Sequence, residues 1–197
     1  NSEAHVIEGS TLYMNSKHYS NGTEVISTDG TSLGLLGGLE LDNGESDRLP
    51  NPRDLVADGL GKVYFTGYLG NTGRELYVWN GIQTLLVQDT LPGNPIGDQN
   101  GDLGPTSLYT WNGHVYYAQD DGTNGIELWR SDSVTTTIVD ELNPGPGNGI
   151  DYSVEFADGG PANLNFITDP DGNEFRGGGP LGFQLYKTTG FPGLNTT

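Results

Sequence analysis

The sequence contains no cysteine, which excludes disulfides, thiolate nucleophiles and thiolate metal sites without placing the protein in any compartment. Basic residues are scarce as well, 8 lysines and arginines against 26 aspartates and glutamates, for a formal charge of −18. A surface of that sign repels nucleic-acid phosphates and anionic lipid head groups, so neither nucleic acid nor a membrane surface is an expected partner. No apolar run approaches the roughly 20 residues that cross a bilayer as a helix, and no membrane insertion is expected. The N-terminus shows neither an initiator methionine nor a signal-peptide pattern, so the chain reads as a mature product or as a segment of something longer. The three histidines, His5, His18 and His114, lack metal-ligand or triad spacing, and no P-loop motif occurs. A hydrolytic carboxylate pair leaves no readable signal in so acidic a chain, because some pair is inevitable. The expectation from these absences is a protein that is not an enzyme.

What the chain has in quantity is punctuation. Its 32 glycines and 11 prolines cluster between aromatic and β-branched runs and read as turns of a β protein. The runs repeat. Val63-Tyr64-Phe65 is followed after twelve residues by Glu75-Leu76-Tyr77, and Val115-Tyr116-Tyr117 by Glu127-Leu128-Trp129 at the same interval. Leu12-Tyr13-Met14 with Glu24-Val25-Ile26 is an earlier copy, and Leu164-Asn165-Phe166 with Gln184-Leu185-Tyr186 a later one. The copies start at 12, 63, 115 and 164, intervals of 51, 52 and 49. A period of roughly 40 to 50 residues belongs to propeller blades and related arrays, in which one small sheet cannot bury its apolar face alone. The predicted fold is all-β, a β-propeller-like array of about four antiparallel sheets with an incomplete fourth. It forms one repeat domain over 1–197, with units near 5–53, 54–105, 106–151 and 152–197.

Each copy divides into four strand-like pieces. The first two make a tight hairpin through Asp58-Gly59 or Asn112-Gly113, pairs that supply the positive φ such a turn demands. A further turn falls five residues after each Glu24, Glu75 and Glu127, at Asp29-Gly30, Asn80-Gly81 and Asp132-Ser133. Because antiparallel strands alternate direction, the short turns share one end of the sheets. The long loops, among them those spanning 89–105, 140–151 and 168–182, share the other, where function is expected.

At this level the residues resemble a known family. Glu24 to Thr31, reading E-V-I-S-T-D-G-T, and Glu127 to Asp132, reading E-L-W-R-S-D, are similar to the ELWxxDGT repeat of bacterial surface and secreted proteins. The run from Asp140 to Gly145 resembles the D-I-x-P-G that follows it there. Copy two lacks the D-G-T, and little of the pattern continues past residue 160. The resemblance implies propeller-like architecture and an extracellular or cell-surface place, and it implies no catalytic residues.

Three kinds of site suggest themselves. Asp98, Asn100 and Asp102, and again Asp169, Asp171 and Asn173, set oxygen side chains at positions 1, 3 and 5, the spacing with which a calcium loop wraps a hard cation. Both stretches lack the Gly at position 6 and the Glu at position 12 of a full EF-hand loop, and both read equally as Asx-rich turns. Tyr19, Tyr68, Trp79, Trp111 and Tyr152 lie near loops or turns, where a ring can stack on a sugar, and Tyr68 and Trp111 are taken as the leading candidates. Tyr64, Phe65, Tyr77, Tyr116 and Trp129 read instead as packing between sheets. Asn21 and Asn195 open N-glycosylation triplets.

If the sheets close into a ring, the strand at Val6-Ile7 is expected to complete the last one. The short fourth copy predicts either a chain that continues elsewhere or an open sheet that takes a strand from a neighbouring subunit. The leading expectation is thus an extracellular, non-enzymatic, fibre-forming or adhesive module that self-associates through its terminal segments, with Ca2+ as an optional ligand. The alternative is a carbohydrate-binding or carbohydrate-active propeller working through the acidic loop-rich face.

Overall fold

The computed structural model describes residues 5–18, 22–36, 52–69, 73–90, 104–140, 142–168 and 184–188. These form fifteen strands and, among the described residues, no helix. Strands β1 (His5–Glu8), β2 (Thr11–His18), β3 (Gly22–Thr28) and β4 (Leu33–Leu35) make the first sheet. Strands β5 (Arg53–Ala57), β6 (Val63–Leu69), β7 (Gly73–Trp79) and β8 (Thr84–Gln88) make the second. The third comprises β9 (Thr106–Trp111), β10 (His114–Asp120), β11 (Ile126–Ser131) and β12 (Thr136–Asp140). The fourth has three strands among the described residues, β13 (Glu155–Asp158), β14 (Leu164–Thr168) and β15 (Gln184–Thr188). Each strand pairs antiparallel with its sequence neighbour, so the β-propeller-like array of about four sheets read from the repeat is the observed architecture. Val6 and Ile7 pair with Tyr13 and Leu12 as the first hairpin of the first copy, and among the described residues the fourth sheet takes no strand from this segment. The two-residue link Gly9-Ser10 holds β1 in its hairpin with β2.

The repeat is reproduced down to single hydrogen bonds. In the turn after the third strand, Asp29 Oδ1 accepts from the Thr31 and Ser32 amides (2.8 and 3.0 Å). Asn80 Oδ1 accepts in the same way from Ile82 and Gln83, and Asp132 Oδ1 from Val134 and Thr135. A short side chain that bonds amides two and three residues on closes the turn and lets the chain return as the fourth strand. The two pairings that follow share a bulge as well, between Leu76 and Tyr77 opposite β8 and between Leu128 and Trp129 opposite β12.

The structure divides into two compact units, Asn1–Leu108 and Tyr109–Thr197, with the boundary inside β9. In the first unit Tyr13 and Val25 of the first sheet form one core with Leu55, Val63, Phe65 and Tyr77 of the second. Phe65 and Tyr77 are direct cross-strand partners, stacked with centroids 6.1 Å apart. In the second unit Tyr116, Ala118 and Leu128 of the third sheet cluster with Leu164, Phe166 and Tyr186 of the fourth, where Phe166 and Tyr186 are again paired and stacked. Both cores obey one rule. The face carrying the first and third residues of the V-Y-F-type run covers the face carrying the middle residue in the preceding sheet. Each aromatic ring fully buried in this way contributes about 1.5–3 kcal/mol. Tyr64, Phe65, Tyr77, Tyr116 and Trp129 are buried, as expected from the sequence.

Within each unit the last residue of a first strand reaches the first turn of the next sheet. Glu8 spreads its carboxylate over the turn after β5, accepting from the Gly59 and Gly61 amides at 2.9 Å each. Trp111 Nε1 donates to the Gly160 carbonyl after β13 at 3.3 Å.

Candidate functional site

At the loop end of the third sheet, the β10–β11 turn and the segment after β12 are described almost throughout, and they fold onto each other. Asp121 Oδ1 accepts from the Thr123 and Asn124 amides (2.9 and 2.8 Å), and Oδ2 from Asn124 Nδ2 (2.8 Å). Burial pushes the Asp121 carboxyl up, but the backbone bonds from Asn124 and Thr123 and the Asn124 side chain outweigh it and hold the group below the usual carboxylate range. Asp120 caps the same turn through Gly122 N at 2.7 Å. Gly125, at φ +71°, ends the turn pressed against Gly147: a Cβ there would lie 2.7 Å from the Gly147 carbonyl. Only glycine meets both demands.

The facing loop is clamped from several directions. Asn148 Oδ1 accepts from Ile126 N, the Gly149 and Ile150 amides both donate to the Ile126 carbonyl, and Asn143 Nδ2 donates to Asn148 O. Beneath them Glu127, fully buried, accepts from Leu142 N at 3.2 Å. Glu75 does the same in the second sheet, accepting from Thr90 N at 3.2 Å. The glutamate that opens the motif in the second and third copies therefore anchors the loop leaving its own sheet, by a bond spanning fifteen residues in both cases. Further along, Asp151 N donates to Thr168 Oγ1 of the fourth sheet, while the Asp151 carboxylate accepts from Ser153 N and Ser153 Oγ. A carboxylate has room for about four hydrogen bonds, so Asp151 keeps acceptor capacity. Its neighbour Tyr152 is half-buried and packs against the core of the second unit.

The sequence-predicted sites fare differently. The calcium candidates Asp98, Asn100, Asp102, Asp169, Asp171 and Asn173 and the glycosylation candidates Asn21 and Asn195 lie outside the described residues. Among the described residues no group of three His, Asp or Glu is placed to hold a metal. Tyr68 and Trp111 are 3% and 8% exposed, so neither offers a ring face to a sugar. Trp111 lies at the short-turn end, where the Gly160 carbonyl occupies its only donor. The anchoring role of Glu75 and Glu127 was not anticipated, although their shared place in the repeat and the loop that follows each are visible in the sequence.

No protein-family model matches the sequence, and no curated protein does. Solved structures do. The isopeptidase AtxE2, in a variant with Astexin3-dC4 bound, is 11% identical over 87% of this chain with a TM-score of 0.53. The match spans only 26% of the isopeptidase. An α-L-arabinofuranosidase from Clostridium thermocellum is 15% identical, covering 98% of this chain and 71% of its own, with a TM-score of 0.39. The arabinofuranosidase PaAbf62A from Podospora anserina, in complex with cellotriose, is 9% identical over 98% and 65%, with a TM-score of 0.42. Likeness at such identities is likeness of fold. The expectation of a non-enzymatic protein does not stand, because the isopeptidase that shares the fold is an enzyme, and a lack of sequence motifs does not separate this chain from such a fold.

Proposed function

We propose that the chain is an exported, sugar-directed domain that binds or cleaves carbohydrate through the loop end of its sheets. One observation carries this reading: on a loop fixed at both flanks, Asp151 retains unspent acceptor capacity next to Tyr152, an aromatic residue that is only half-buried. Sugar hydroxyls donate to carboxylates, and a partly exposed ring packs on the apolar face of a pyranose or furanose. A clamped loop adds little ordering cost on binding. Tyr152, one of the loop aromatics named from the sequence, takes precedence over the buried Tyr68 and Trp111, and an extracellular place fits the repeat resemblance.

The test is a glycan array with the purified chain, followed by reducing-end release from whichever polysaccharide binds. Tyr152→Ala and Asp151→Asn are each expected to weaken binding about tenfold, the equivalent of about 1.4 kcal/mol, with unchanged circular dichroism. Release of sugar by the wild type assigns cleavage, and binding without release assigns a binding module. A chain that neither retains a glycan nor releases sugar overturns the reading.

A further inference from the structure

The packing rule leaves two faces without a partner sheet among the described residues. In the first sheet Met14 pairs with Ile26, the register position of the stacked pairs Phe65–Tyr77 and Phe166–Tyr186. Those rings lie inside cores, whereas the face around Met14 and Ile26 stands open: Ile7, Leu33 and Leu35 on it are 65%, 75% and 51% exposed. The register gives this face two cross-strand rows, Ile7–Leu12–Thr28–Leu33 and His5–Met14–Ile26–Leu35, apolar except at Thr28 and His5. In the fourth sheet Ile167 pairs with Leu185, the register position of Ala118 and Leu128 in the third. Ala118 and Leu128 are 0% exposed, while Ile167 and Leu185 are 43% and 57% exposed. One chain thus displays both halves of an interface that it forms internally twice, once in each unit.

We infer that the occupant of the first sheet's open face is the fourth sheet of a second copy, so that chains associate head to tail. The contact joins Ile7, Met14, Ile26, Leu33 and Leu35 of one copy to Ile167 and Leu185 of the next at strand positions that meet in the internal sheet-to-sheet cores, with Glu155, Asn165 and Lys187 bordering the aliphatic pair on the fourth sheet. An interface using two different patches leaves one of each kind free on a dimer and therefore propagates unless it closes. This surface is separate from the loop ends proposed to meet sugar.

Sedimentation velocity over a concentration series tests it. The wild type is expected to gain mass above the 21.0 kDa of the chain as concentration rises. Leu33→Glu, which charges only the first-sheet face, and Leu185→Glu, which charges only the fourth-sheet face, are each expected to abolish that gain at unchanged melting temperature; Leu35→Glu repeats the first test at a second position. An equimolar mixture of Leu33→Glu and Leu185→Glu chains retains one intact face of each kind and is expected to form a dimer and nothing larger. A wild type monomeric at every concentration overturns the inference. So does a Leu185→Glu chain that still self-associates, since that would mean like faces meeting.

Discussion

Asp29 shows how much of this molecule is settled by single side chains. Its carboxylate takes hydrogen bonds from the Thr31 hydroxyl and from the Thr31 and Ser32 amides. These donors, the Thr31 side chain foremost, bring its pKa from an ordinary 3.8 down to about 2. A carboxyl depressed on folding stabilises the fold fully above its unfolded value and loses that contribution as the pH falls through the folded one. The turn is therefore expected to weaken on acidification from about pH 4 toward pH 2. Asp29→Asn is expected to remove this pH dependence while keeping the turn, since Asn80 closes the equivalent turn with an amide. NMR titration of the Asp29 carboxyl checks it, and titration at the ordinary value would remove its basis. The turn itself was legible, because Asp-Gly and Asn-Gly at a fixed offset leave few alternatives. Trp111 was not: nearness to a turn suggests exposure, and only the next sheet, bringing the Gly160 carbonyl, reveals that the ring is covered.

At the scale of elements, the informative feature is where copies of one turn differ. Gly30 and Gly81 adopt φ of +90° and +88°, and the third copy puts Ser133 at +79°. A side chain in that region costs about 1–2 kcal/mol, partly offset by the greater backbone freedom that glycine loses on folding. Ser133→Gly is therefore expected to stabilise the protein by about 0.5–1 kcal/mol, read as a raised urea midpoint at constant slope. The Ser133 amide bond to Ser131 Oγ survives the change, because glycine keeps the donor. The hairpins and the turns that join the strands followed from the spacing of the repeats. The loop anchors did not, for a glutamate inside an acidic sequence looks like any solvated charge until its burial is known.

For the whole molecule, charge and shape act against each other. Copies carrying −18 each repel at long range, while the open faces attract only on contact. Raising ionic strength shortens the reach of the repulsion, to about 10 Å at 0.1 M salt. Association of the wild type is accordingly expected to strengthen between low and moderate salt in sedimentation experiments; weakening would instead indicate ion pairs as the adhesive. The fold was legible because four aligned copies overdetermine it. Catalysis leaves no such mark in a sequence, because a pair of carboxylates needs no fixed spacing. The glutamate anchors carry one more implication. The loops leaving the second and third sheets differ in length and composition, yet both begin at an identical fastening, Glu75 to Thr90 and Glu127 to Leu142. Such a fastening separates inheritance of the scaffold from diversification of its rim: a new loop can be grafted beyond the anchor, and recognition can change one sheet at a time without any strand being rewritten.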